Sequence, residues 1–234
     1  GAALLILLGL LATASAGAEE RERSIVIGGG QRTYLLVTPD KQSGSLPLLI
    51  VFHGGGDNPE RALRYTRFDK LAASGEAVVV FPKGVDNNWN DGRVTSDLRQ
   101  RASSNYDDVA FTVAIIDQLA GEGIVDERRV FLTGASNGAM MSLRAGCEAS
   151  DRIAGIAPVA GSLPVDWDCA PSGPVPALFF NGTEDEFIPF GGGRVAAHKT
   201  RRDLGDVRSV DETLSIFQRI DGCNGVEKSE TRDK

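Results

Sequence analysis

The stretch from Val130 to Cys147 constrains the fold more than any other part of the chain. Val130-Phe131-Leu132-Thr133 is a short apolar run of strand character that leads into Gly134-Ala135-Ser136-Asn137-Gly138, and a helical pattern follows at once over Asn137 to Cys147. Strand, sharp glycine turn and helix in immediate succession belong to a parallel sheet with helical crossovers. A serine on such a turn exposes its Oγ, and glycines two residues to either side let neighbouring backbone approach without a Cβ clash. The helix that follows offers a positive dipole end and open N–H groups, so the backbone N–H of Asn137 can stabilise negative charge on a tetrahedral intermediate. Ser136 is therefore the candidate nucleophile.

The rest of the chain repeats the alternation. Arg32 to Val37 reads as a half-buried strand, and Pro47 to Phe52, Ala77 to Phe81, Ile153 to Val159 and Val175 to Phe180 read as apolar runs buried on both sheet faces. Between them, Asn58-Pro59-Glu60 opens a helix with a cap and a first-turn proline, and Ala110 to Leu119 has helical spacing behind Asp107 and Asp108. Ser209-Val210-Asp211-Glu212 is a capping box before a helix whose Leu214, Ile216, Phe217 and Ile220 share a face, ended by Gly222. The expectation is an α/β protein, a mostly parallel sheet with helices on both faces, as one domain over residues 17–234. A length of 234 residues suits one such domain, and a net charge of −7 with interleaved Arg and acids argues against a nucleic-acid partner.

A second glycine-rich turn, His53-Gly54-Gly55-Gly56, directly follows the strand ending at Phe52. Glycines there permit the bent backbone that aims a second N–H at an oxyanion, and Gly55 is the candidate donor, with Gly54 and Gly56 beside it. His53 precedes the serine, the wrong chain order for a triad base, so a structural role bonding the loop is expected. Asp185, in Asn181-Gly182-Thr183-Glu184-Asp185 after the run Val175 to Phe180, is the candidate acid, with Glu184 behind it. His198 satisfies chain order but lies in a polar loop with no strand leading to it, and reads as a solvent-facing histidine. Trp89 and Asn90 follow the strand ending at Phe81, at the sheet edge where sites of parallel sheets lie; they are candidate substrate contacts, with core packing the competing reading of the tryptophan. Asp107 and Asp108 suit capping and ion pairing.

Leu4 to Leu11 is apolar and too short to span a bilayer comfortably, and Ala14-Ser15-Ala16 precedes the charged Glu19 to Arg23. Residues 1–16 are thus expected to be part of a secretory signal cleaved after Ala16. Three cysteines in an exported chain leave one over; Cys147 and Cys169 are expected to bridge, and Cys223 is the odd one.

These residues give the chain a resemblance to secreted polyhydroxybutyrate depolymerase-like, feruloyl and acetylxylan esterases of the α/β-hydrolase kind. It is carried by Arg32-Thr33-Tyr34, His53 to Gly56, Pro82-Lys83-Gly84 with Trp89-Asn90, Asp107-Asp108-Val109, the Ser136 turn, Ala157 to Gly161 and Gly182 to Asp185. The resemblance implies a serine esterase acting through an acyl-enzyme on a polymeric or small ester, with Asp185 as the acid and no metal or organic cofactor. It also places the catalytic histidine, one more strand and a partner for Cys223 later than Lys234, and so implies a fragment that is inactive alone. A secreted monomer without membrane insertion is expected. A non-catalytic polymer-binding homologue and a serine peptidase on the same fold are the alternatives.

Overall fold

A computed structural model describes residues 17–96, 105–196, 199 and 202–223; the expected signal segment 1–16, His198 and residues 224–234 lie outside the described residues. The central sheet holds β1 (Ala18–Ile27), β2 (Gly30–Pro39), β3 (Leu46–Phe52), β4 (Val78–Pro82), β5 (Val125–Ala135) and β6 (Gly155–Val159), in the order β1-β2-β4-β3-β5-β6. β3 to β6 are mutually parallel, whereas β1 and β2 run antiparallel at one edge. The hairpin between these two turns on Gly28 and Gly29, both at positive φ, which suits the right-handed twist of paired strands. β1 is a strand that the sequence reading did not expect: its Glu19 to Arg23 are charged because they face solvent on an edge strand.

Side chains alternate between the two faces, so each parallel strand feeds two cores. On one face Val37, Val79 and Phe81 pack with Ala62 and Leu63 of α1 (Pro59–Thr66) and Ala72 of α2 (Asp69–Ala73). On the other, Leu48, Ile50, Val78, Val80, Leu132 and Ile156 meet α3 (Asp108–Gly121), α4 (Asn137–Glu148) and α5 (Val210–Ile220). The caps do what their chemistry predicts. Asn58 Oδ1 accepts from Arg61 N at 3.0 Å, Asp107 Oδ1 from Ala110 N at 2.8 Å, and Ser209 and Glu212 form the reciprocal box.

Val175 to Phe180 lies parallel beside β6, with Leu178 N donating to Ile156 O and Phe180 N to Pro158 O, but it pairs only through two isolated bridges rather than as a full strand. Pro158 of β6 lacks the N–H that would continue the ladder between the two bridges, and Pro176 lacks one at the start of the run. Cys147 at the end of α4 is disulfide-bonded to Cys169, with Cα atoms 5.3 Å apart, and Cys223 is exposed. A small lobe, with β7 (Gly193–Arg194) paired to β8 (Asp206–Val207), packs Ile188, Val195 and Val207 on Met140 of α4.

Candidate functional site

Ser136 ends the β5-to-α4 turn in a conformation that non-glycine residues rarely adopt, φ 56 and ψ −120. What holds it there is the closeness of three backbone segments. A Cβ on Gly138 would lie 2.3 Å from Phe52 O and 2.5 Å from His53 O, and one on Gly134 would lie 2.5 Å from Gly138 O. Only glycine fits at either position, so β3, β5 and α4 converge where the serine emerges. Ser136 N donates to Val159 O of β6 at 3.0 Å, fixing the turn from the other side. No side chain caps α4, which leaves its N-terminal dipole facing the Ser136 side.

The loop after β3 closes against this turn. A Cβ on Gly55 would lie 3.2 Å from Asn88 Oδ1 and 3.4 Å from the Asn137 Cβ, so the candidate donors Gly55 and Asn137 adjoin one another. His53 is fully buried, and both ring nitrogens are engaged: Gly84 N donates to Nε2 at 3.1 Å, so Nδ1 carries the proton and donates to Gly54 O at 2.8 Å. Burial pushes the imidazole pKa down, which keeps this neutral tautomer.

Ser136, Asn137, Gly55 and Gly56 line one cleft of about 990 Å³. Its lining is mixed: Asp86, Asn87 and Asn88 come from the loop after β4, Phe187, Ile188 and Leu204 from the stretch after Asp185, and Arg93, Lys199 and Arg202 add positive charge. Sequence reasoning passed over these residues. Asp86 and Asn87 are turn residues at positive φ, and Phe187, Ile188 and Leu204 come from a stretch without long strand or helix periodicity. Asp185 is not among the residues lining this cleft; its Oδ1 accepts from Phe187 N at 2.8 Å and Ile188 N at 2.9 Å and so anchors two residues that are.

Trp89 and Asn90 do not line the cleft. The Trp89 indole is 0% exposed, lies edge-on to Phe52, and donates from Nε1 to His53 O at 2.8 Å, so the core-packing reading is the one observed. Asn90 donates from its amide to Tyr106 O and from its backbone N to Asp108 Oδ2. Both residues brace the loop beside the site in this arrangement. Asp108 spends its other oxygen on Arg32, 2.7 Å away. Among the described residues no three His, Cys, Asp or Glu side chains gather to hold a metal.

Residues 36–213 match the phospholipase/carboxylesterase family, a span from β2 into α5. The protein NocK of Nocardia uniformis subsp. tsuyamanensis is 32% identical over 93% of this chain and 64% of its own length. Feruloyl esterase B of Piromyces equi is 30% identical over 79% of this chain and 34% of its own. The bifunctional acetylxylan esterase/xylanase XynS20E of Neocallimastix patriciarum is 30% identical over 69% and 22%. The chain thus spans less than two thirds of the length of these relatives. A pOPH variant solved in complex with pNPB superposes with a TM-score of 0.61 at 18% identity, covering 86% of this chain and 75% of that one, a likeness of fold.

Proposed function

The chain belongs to the phospholipase/carboxylesterase family and has the α/β-hydrolase fold, and from that premise we propose that it is a secreted serine esterase cleaving carboxylic esters borne on a polymer. The observation that carries the reading is the Ser136 turn, a non-glycine residue held at φ 56 above β5 with Asn137 and Gly55 adjoining in the same cleft. Ser136 Oγ attacks the ester carbonyl carbon as its proton passes to a histidine, and the N–H groups of Asn137 and Gly55 hold the oxyanion. The bond to the alcohol oxygen breaks, and the histidine returns its proton to that oxygen. Water then attacks the acyl carbon, giving its proton to the same histidine; the bond to Ser136 Oγ breaks, the histidine returns the proton to that oxygen, and the acid is released. Asp185 orients the imidazole. His53 cannot be that base, since both of its nitrogens are bound to backbone.

The substrate reading rests on the relatives named feruloyl esterase and acetylxylan esterase, and on a cleft whose lining mixes apolar side chains with polar ones. The Cys147–Cys169 bridge supports an oxidising compartment. Labelling the full-length protein with a fluorophosphonate probe tests the nucleophile: Ser136→Ala is expected to abolish labelling, and equal labelling would overturn the assignment. Asp185→Asn is expected to lower kcat on p-nitrophenyl acetate by roughly 10⁴-fold. Comparing kcat/KM on methyl ferulate, acetylated xylan and polyhydroxybutyrate ranks the polymer classes.

A further inference from the structure

Beside the two candidate donors lies a buried pair, Asp91 and Arg93, that the mechanism above does not use, although Arg93 also lines the cleft. Asp91 is 1% exposed, and Arg93 binds it through Nη2 at 2.6 Å and Nε at 2.9 Å. The same carboxylate oxygen, Oδ2, accepts from Asn137 Nδ2 at 2.6 Å. The rest of the Asn137 amide is also spent: Trp89 N donates to Oδ1 at 2.9 Å, and Nδ2 reaches Trp89 O at 3.2 Å. A backbone donor on one side and a carboxylate on the other permit a single orientation of that amide. The segment also grips the opposite loop, since Gly56 N donates to Asn87 O at 2.7 Å. One short stretch, residues 87–93, therefore binds both backbones that face Ser136.

We propose that Asp91 is a positioning residue for the oxyanion hole: clamped by Arg93, it fixes the Asn137 side chain and so keeps the Asn137 and Gly55 N–H groups convergent before Ser136. The proposal rests on the esterase reading of Ser136. A carboxylate suits the task because a charge-assisted bond to a buried amide is short and directional, and Arg93 neutralises its charge within the fold. Loss of Asp91 leaves the Asn137 amide held by the Trp89 backbone alone, its longer Nδ2 contact included, and loosens the helix start that bears the donor. An oxyanion interaction is made chiefly in the transition state, so kcat falls while KM holds.

The test is kinetics of the full-length protein on p-nitrophenyl acetate, with active sites counted by fluorophosphonate titration so that unfolded molecules drop out. Asp91→Ala is expected to lower kcat per titrated site by roughly 10–100-fold with KM within about threefold, a part of the loss seen on deleting a whole oxyanion donor. In an Asn137→Ala background the same substitution is expected to cost almost nothing, because both act through one contact. Unchanged kcat per titrated site, or an equal loss in the two backgrounds, would overturn the proposal and leave the esterase reading standing. Wild-type turnover that survives Ser136→Ala would instead overturn the esterase reading and this proposal with it.

Discussion

Gly138 and Phe52 are in backbone contact across the site: a Cβ on the glycine would fall 2.3 Å from the Phe52 carbonyl oxygen. The opposing atom is backbone at the end of β3, a strand paired on both sides, and cannot yield as a side chain would. Gly138→Ala is thus expected to destabilise the protein by at least about 3 kcal/mol, beyond ordinary overpacking. Any folded remainder should carry a displaced Ser136. Urea unfolding followed by tryptophan fluorescence measures the first, and labelling by a fluorophosphonate per folded molecule the second. An alanine variant of wild-type stability would mean that the three segments do not converge as described.

His53 makes stability depend on pH in a defined direction. Its folded pKa lies below the unfolded value of ~6.5, because burial disfavours the imidazolium and Gly84 N–H already occupies Nε2. Above ~6.5 both states are neutral and the contribution is complete. As pH falls below that value the unfolded chain takes up a proton first, and stability declines until the folded pKa is reached. Each unit of depression corresponds to about 1.4 kcal/mol, and each kcal/mol to roughly 2–4 °C in Tm at this size. Thermal melts of wild type and His53→Gln between pH 7.5 and ~5 are expected to show a steeper acid loss in the wild type. Parallel profiles would remove His53 as the cause.

How much of this was legible in the sequence depended on whether a feature is local. The Ser136 turn, the Asn58 cap and the Ser209–Glu212 box are each decided within a few residues, and each sits where its residues placed it. β1 was missed because an exposed edge strand alternates charges rather than apolar groups, and its pairing with β2 is tertiary. The destination of Trp89 was equally out of reach: what buries it is the carbonyl of His53, a residue 36 positions earlier that only the folded sheet brings near. The pairing of Val175 to Phe180 was overestimated because its apolar composition is that of a strand, while Pro176 at its start and Pro158 on β6 each withhold an N–H from the ladder. The cleft walls join turn residues after β4 to a lobe following Asp185, and no spacing rule connects them.

The Arg32–Asp108 pair is the strongest test of how the loop behind the site is held. Both side chains are buried, and Asp108 also accepts from Asn90 N at 2.7 Å, so one carboxylate ties β2, α3 and the loop after β4 together. Burial pushes the Asp108 pKa up, and Arg32 opposes that rise. Arg32→Met removes the opposition and leaves a buried carboxylate without its cation, at a cost of about 3–5 kcal/mol near neutral pH. The deficit should shrink in acid. A carboxyl whose folded pKa is raised stabilises the protein fully below its unfolded value of ~3.9, and that contribution is lost as pH rises through the folded pKa. Chemical denaturation of wild type and Arg32→Met from pH 4 to 7 is therefore expected to show a difference that widens with pH. The double variant Arg32→Met/Asp108→Leu should recover much of the loss at neutral pH, since an apolar pair has no charge to desolvate. A pH-independent deficit, or no recovery in the double variant, would mean that Arg32 stabilises through its contact with the Phe111 ring, 4.2 Å from the guanidinium carbon, rather than through Asp108.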